Sequence, residues 1–138
     1  MTPEDVTVRV DGASRGNPGP AGIGAVVEFG DARAPKELYA YIGETTNNVA
    51  EYRALLLALE EAARHDPVSL SVYSDSELLV RQLRGEYKVK APHLRPLHAE
   101  ACRRLRSFPA FRILHVPREE NRRADFLANL AIDQHRKG

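Results

Sequence analysis

The sequence predicts one α/β domain built on a five-stranded mixed sheet flanked by helices. Three observations carry this. The chain has 138 residues, within the range of about 100–200 that one domain usually occupies. Its apolar spacing switches between period two and period 3.6 in the order βββαβααβα, which makes the front of the sheet antiparallel and the rest parallel through helical crossovers. Its composition is 43% hydrophobic and 28% charged, with no run near the roughly 20 apolar residues a bilayer span needs, as in a soluble globular domain.

Val6 to Val10 alternate as V-T-V-R-V, a half-buried strand that stops at Asp11-Gly12. GASRGNPGPAG follows, with four glycines and two prolines in eleven residues, and reads as a structured loop. Ile23 to Phe29 and Glu37 to Ile42 read as an antiparallel hairpin around the turn GDARAP. Thr45, Thr46, Asn47 and Asn48 are candidate caps for a helix reaching about Arg64, with Val49, Ala50, Leu55, Ala58, Leu59 and Ala62 as its apolar stripe. Ser69 to Ser74 forms a fourth strand, and Asp75-Ser76 caps a short helix that stops at Gly85. Pro92 to about Arg106 reads as a helix, Phe111 to Val116 as the fifth strand, and Asn121 onward as the last helix, buried through Ala124, Leu127, Ala128 and Ala131. No repeat or linker divides the chain.

Charge and cysteine content exclude several classes. Twenty basic against nineteen acidic residues leave a net charge of +1, so bulk charge cannot hold this chain to nucleic acid as it holds a histone. The single Cys102 excludes an internal disulfide framework and a cysteine zinc cluster, and fits a reducing compartment. The acidic N-terminal segment MTPEDVTVRV lacks the basic and apolar regions of a signal peptide, so a cytoplasmic location is expected.

Four carboxylates stand where acids are uncommon. Asp11 and Asp75 each follow a predicted strand, at the sheet edge where ligands bind open α/β folds. Glu51 and Asp125 each begin the inward register of a helix, Glu51 with Leu55, Ala58 and Ala62, and Asp125 with Ala128 and Ile132. Carboxylates that meet in a partly desolvated place repel unless a cation offsets them. An oxygen-only set favours a hard ion such as Mg²⁺ or Mn²⁺, and a two-ion centre suits phosphoryl chemistry. The competing reading for each acid alone is a turn residue, a cap or a first-turn helix acid favoured by the dipole.

The sequences around these acids are more specific than their positions. DGASRGNPGPAGIGAV from Asp11, TTNNVAEYRALLLAL from Thr45, YSDSELLVRQL from Tyr73 and ENRRADFLANLA from Glu120 occur in this order and span nearly the whole chain. Together they resemble the type 1 ribonuclease H family, ribonuclease HI. The resemblance implies a ribonuclease H-like fold with strand order 3-2-1-4-5, residues 1–138 as a single ribonuclease H domain, and hydrolysis of the RNA strand of RNA/DNA hybrids to 5′-phosphate and 3′-hydroxyl ends. It implies two Mg²⁺ ions, with Mn²⁺ as substitute and at least one ion completed by substrate. Asp11 would bridge both ions, Glu51 and Asp75 would complete the ligands of one, and Asp125 would hold the other. Gly12, Ala13, Ser14 and Asn17 match the family's RNA-contacting loop, Thr46, Asn47 and Asn48 its minor-groove segment, and Ser76 a further RNA contact. Glu77 replaces a familiar glutamine.

Two departures qualify the resemblance. The basic handle of well-known bacterial members shrinks to RGEYKVKAPHLRP, which offers Arg84, Lys88, Lys90 and Arg95; Lys88 and Lys90 are the candidate phosphate contacts. The loop that carries a catalytic histidine in those members is absent. His115 falls in a predicted strand, with a sheet-edge role set against a catalytic one, and Arg118 is the other residue that would steady a phosphate. A monomeric hybrid nuclease serving removal of primers or transcription-derived hybrids is the expectation. Its rivals are the same centre acting on RNA-DNA junctions or double-stranded RNA, and a binding module whose cleavage has lapsed. Setting aside the four acids leaves 20 basic residues against 15 acidic ones, an acidic pit in a mildly basic body.

Overall fold

The first strand, β1 (Asp5–Ser14), runs on past Gly12 to Ser14 instead of stopping at Asp11-Gly12. The second, β2 (Gly19–Phe29), begins four residues before Ile23, so the stretch expected to be a loop is mostly paired strand closed by the short turn at residues 15–18. The reason lies in the helices. A Cβ on Gly12 would stand 2.2 Å from the backbone carbon of Ala50, and Cβ atoms on Gly22 and Gly24 would stand 2.2 and 2.4 Å from the carbonyl oxygens of Ala128 and Ala124. The glycines are spaced for close helix–sheet approach, which a composition count cannot tell from loop content.

In this computed structural model, which describes residues 4–137, the remaining elements are β3 (Lys36–Thr45), α1 (Asn47–Ala63), β4 (Ser69–Ser74), α2 (Glu77–Leu83), α3 (Arg95–Leu105), β5 (Ala110–His115), a 3₁₀ turn (Arg118–Glu120) and α4 (Arg122–Lys137). The first three residues of the N-terminal segment read above, and Gly138, lie outside the described range. The sheet order is β3-β2-β1-β4-β5, as expected. β1–β2 and β2–β3 are antiparallel, and β1–β4 and β4–β5 parallel.

Strand alternation sends Val6, Val8 and Val10 of β1 and Ala21, Ile23, Ala25 and Val27 of β2 into one core, closed by Ala50, Leu55, Ala58, Leu59 and Ala62 of α1. The opposite face over β1, β2 and β3 is covered by α4, through Ala124, Leu127, Ala128, Ala131 and Ile132. Inside the main core the Tyr52 hydroxyl donates to Gln82 Oε1 at 2.6 Å, joining α1 to α2.

Helix ends correct two further expectations. α1 is capped by Thr46, whose hydroxyl accepts from the Val49 N–H at 3.3 Å, so Asn47 and Asn48 are first-turn residues and not caps. α3 starts at Arg95 instead of Pro92: Pro96 has no N–H to bond a carbonyl four residues back, so residues 91–94 form a turn and Pro96 sits in the tolerated first-turn position. The stop at Gly85 holds, with φ of 79° just past α2.

Candidate active site

Asp11 is not at the end of its strand. It lies within β1, one residue past Val10, whose parallel partner Ser74 ends β4. Asp75 therefore leaves the sheet level with Asp11, and the two acids meet because β4 is the shorter strand. Glu51 comes from the first turn and a half of α1, and the Gly12 N–H donates to its Oε1 at 2.6 Å. Gly12 thus serves twice: it lets α1 approach the sheet, and it orients the carboxylate that α1 carries. One oxygen each of Asp11, Glu51 and Asp75 lies within 4.8 Å of the others. Asp125 enters the same cleft from the first turn of α4, near enough to Asp11 to raise its pKa. These acids line a cleft of about 410 Å³ together with Gly12, Ala13, Ser14, Arg15, Asn47, Arg118 and Asn129.

Asp11 and Glu51 are only 6% and 5% exposed. Burial, then repulsion from Glu51, Asp75 and Asp125, lifts Asp11 from the usual carboxylate range to about 10. Burial lifts Glu51 to about 8, against the Gly12 N–H, which favours its charged form. Asp75 is raised by burial too, with the Asn121 amide and the Arg118 guanidinium pulling the other way. An all-oxygen set that sheds its mutual repulsion only by holding protons fits hard divalent cations, which neutralise the charges directly.

The sign of the pH effect follows. Asp11 and Glu51 hold protons more tightly folded than unfolded, so between about pH 4 and pH 8 the cation-free protein loses stability as pH rises. The expected result is a higher melting temperature at pH 5.5 than at pH 8 without divalent ions, and a larger stabilisation by Mg²⁺ at pH 8. Equal melting temperatures at the two pH values would show that the acids do not repel.

The sequence reading missed Asn121. It is 1% exposed, and its Nδ2 donates to the Val10 carbonyl at 2.8 Å, beside Asp11. The sequence marked it only as a helix start; a polar residue immediately before an apolar helical stripe was the available signal.

Among the residues expected to touch substrate, several have work inside the protein. The Gly12 N–H is taken by Glu51. The Ser14 hydroxyl lies against the Gly16 carbonyl and 2.8 Å from that of Thr45. Thr46 caps α1, and Ser76 caps α2 by accepting from the Leu79 N–H at 3.2 Å. Asn17 Oδ1 accepts from the Asn47 N–H at 3.2 Å, which brings the β1–β2 turn to the start of α1. Asn47 lines the cleft, and its side chain and that of Asn48 are exposed. His115 ends β5 with its Nε2 3.3 Å from the Asp75 carbonyl. Of the shortened basic segment, Arg84 is spent on the Ile113 carbonyl at 3.0 Å and Arg95 on that of Val89 at 3.2 Å, leaving Lys88 and Lys90 exposed.

Residues 9–131 match the family model described as reverse transcriptase-like. Ribonuclease HI of Halobacterium salinarum is 46% identical over 123 residues, 89% of this chain and 62% of that protein. The N-terminal ribonuclease H domain of Rv2228c from Mycobacterium tuberculosis superposes with a TM-score of 0.91 at 42% identity, covering 96% of each chain. The chain belongs to the type 1 ribonuclease H family. Another ribonuclease H structure, LC11-RNase H1 in complex with an RNA/DNA hybrid, gives a TM-score of 0.87 at 46% identity over 94% of this chain and 98% of that one. This ribonuclease H chain spans 62% of the halobacterial protein and 35% of the mycobacterial bifunctional protein. Among the described residues no helix is long and apolar enough to cross a membrane.

Proposed function

We propose that the chain is a monomeric endonuclease that hydrolyses the RNA strand of RNA/DNA hybrids with two divalent ions, leaving 5′-phosphate and 3′-hydroxyl ends. The observation that carries this reading is the convergence of Asp11, Glu51, Asp75 and Asp125, from four separate segments of the chain, on one polar cleft. Asp11 would hold both ions, Glu51 and Asp75 one of them, and Asp125 the other. Bound Mg²⁺, or Mn²⁺ in its place, supplies Lewis acidity and a water of lowered pKa. In the hydrolysis the water oxygen bonds to phosphorus and the bond to the 3′-oxygen breaks. Arg118 lines the cleft close enough to Asp75 to favour its charged form, and there it would meet a phosphate oxygen. Asn47 lines the cleft, with Asn17 bonded to its N–H and Asn48 next in sequence, and the three would meet the hybrid's minor groove, where the 2′-hydroxyl distinguishes RNA from DNA. Gly12, Ala13, Ser14, Thr46 and Ser76 shape that surface, four of them through internal hydrogen bonds. One half-exposed free thiol, Cys102, suits a reducing compartment such as the cytoplasm.

The test is cleavage of labelled hybrid, RNA-DNA junction and double-stranded RNA side by side with Mg²⁺ or Mn²⁺; no cleavage of the hybrid sinks the proposal. With the handle reduced to two free lysines, hybrid binding is modest and salt-sensitive. Replacing Lys88 and Lys90 by alanine is expected to raise KM about threefold and to flatten its dependence on salt by up to about two phosphate contacts. Unchanged KM and salt slope would remove both lysines from the interface. His115→Ala is expected to keep the wild-type pH-rate profile, because from the end of β5 its ring faces the Asp75 backbone carbonyl. Loss of one limb of that profile would instead make it a proton-transfer group.

A further inference from the structure

Asp125, Asn129 and Asp133 follow at intervals of four along α4 and so share one face of the helix. Arg15, in the β1–β2 turn, reaches over that face. Its Nη1 lies 2.7 Å from Asp133 Oδ1, and its Nη2 donates to Asn129 Oδ1 at 3.2 Å. On the far side of the same amide, Asn129 Nδ2 donates to the Asp125 carbonyl at 3.0 Å and to the Asp125 carboxylate at 3.4 Å.

This arrangement allows the amide one orientation. A guanidinium only donates, so the atom that faces it must be the amide oxygen. A carbonyl and a carboxylate only accept, so the atom that faces Asp125 must be the amide nitrogen. Turning the Asn129 amide over would set NH₂ against guanidinium and oxygen against carboxylate. Arg15 is also the sole residue of the turn to reach α4 by a side-chain hydrogen bond among those described, and both it and Asn129 line the acidic cleft.

We propose that Arg15 and Asn129 are positioning residues: Arg15, anchored by Asp133, orients the Asn129 amide so that its nitrogen holds the Asp125 carboxylate facing the cleft. The inference rests on the two-ion reading above and adds to it an outer partner for one ligand. It also explains why an arginine stands in a turn otherwise made of glycine, asparagine and proline. The Arg15–Asp133 pair is solvent-exposed, with side chains 32% and 49% accessible, so it adds little to fold stability. Its effect falls on the cation.

Cleavage by Arg15→Met, Asn129→Leu and the double variant, followed against Mg²⁺ concentration, tests this. Each single variant is expected to raise the Mg²⁺ concentration for half-maximal cleavage by about tenfold, the lower end for loss of an outer partner of a metal ligand, with a much smaller fall in kcat at saturating Mg²⁺. The double variant should shift no further than Asn129→Leu alone, because a relay is interrupted once. Arg15→Lys, which keeps the charge and a single donor nitrogen, should recover part of the shift. Independently of activity, the side-chain amide signals of Asn129 in ¹⁵N NMR should broaden or move in Arg15→Met. Additive shifts, an Mg²⁺ dependence unchanged in Asn129→Leu, or an amide signal unmoved in Arg15→Met would overturn the proposal. So would a rise in KM for Arg15→Met at unchanged Mg²⁺ dependence, which would make Arg15 a phosphate contact. Asp11→Asn run in parallel separates the two levels: full cleavage there removes the metal centre itself, whereas an inactive Asp11→Asn beside an unaltered Asn129→Leu removes only the relay.

Discussion

Replacing Asp11 by asparagine is expected to lower hybrid cleavage by at least about a thousandfold, roughly 4 kcal/mol of transition-state stabilisation, and to raise the melting temperature of the cation-free protein at pH 8. Both effects come from one fact. Asp11 is 6% exposed, with Glu51 and Asp75 close by and Asp125 in the same cleft. On the two-ion reading proposed above, its carboxylate would be the ligand common to both ions, and a neutral amide cannot replace that charge. Without cations, the same carboxylate is the group most opposed by burial and by its neighbours. Asparagine keeps the shape and removes that opposition, so the fold gains on the order of 1 kcal/mol, or about 3–5 °C. Added Mg²⁺ should then stabilise the variant less than it stabilises the wild type. Turnover at the wild-type rate would sink the metal assignment, and an unchanged melting temperature would sink the claim that the cluster stores repulsion.

Gly22→Ala is expected to destabilise the protein by about 3 kcal/mol, the upper part of the range for overpacking, or about 10 °C in melting temperature. The added methyl would lie 2.2 Å from the Ala128 carbonyl oxygen and 3.0 Å from Ile132 Cγ1. The first of these is helix backbone and cannot step aside by a rotamer change, so α4 must move as a body. Because α4 carries Asp125, activity should fall further than stability alone explains: a displacement near 1 Å at a reacting centre costs about a hundredfold. Gly43→Ala is the control. Its φ is 83°, yet no atom lies within 4 Å of the Cβ position, so only backbone strain of about 1 kcal/mol applies. Thermal melts of the two variants decide the matter; equal losses would mean that close helix approach is not what Gly22 provides.

The comparison of these two glycines shows where sequence reading succeeds and where it stops. Strand alternation at Val6 to Val10, the apolar stripe of α1, and the stop at Gly85 are local properties, set by spacing and turn chemistry within a few residues. They were legible, and the mixed sheet followed from their order. Gly12 and Gly22 were misread as loop because a glycine records only the lack of a side chain, and what fills that space belongs to another part of the chain. The start of α3 was misplaced for a local reason, since Pro96 should have argued against a helix begun at Pro92.

The candidate site divides the same way. The sequence by itself determined that Asp11, Glu51, Asp75 and Asp125 stand in positions where acids are costly, and the motifs around them carried the family resemblance. The tertiary structure alone decided that β4 ends one residue short of Asp11, so that Asp75 turns beside it, and that the Gly12 N–H holds Glu51. It alone brought in Asn121, and it joined Arg15 to Asn129 across 114 positions. Sequence spacing carries the chemistry of a residue and the face it occupies. Which faces meet, and which donor is left for which acceptor, is a matter of register and packing between segments far apart in the chain.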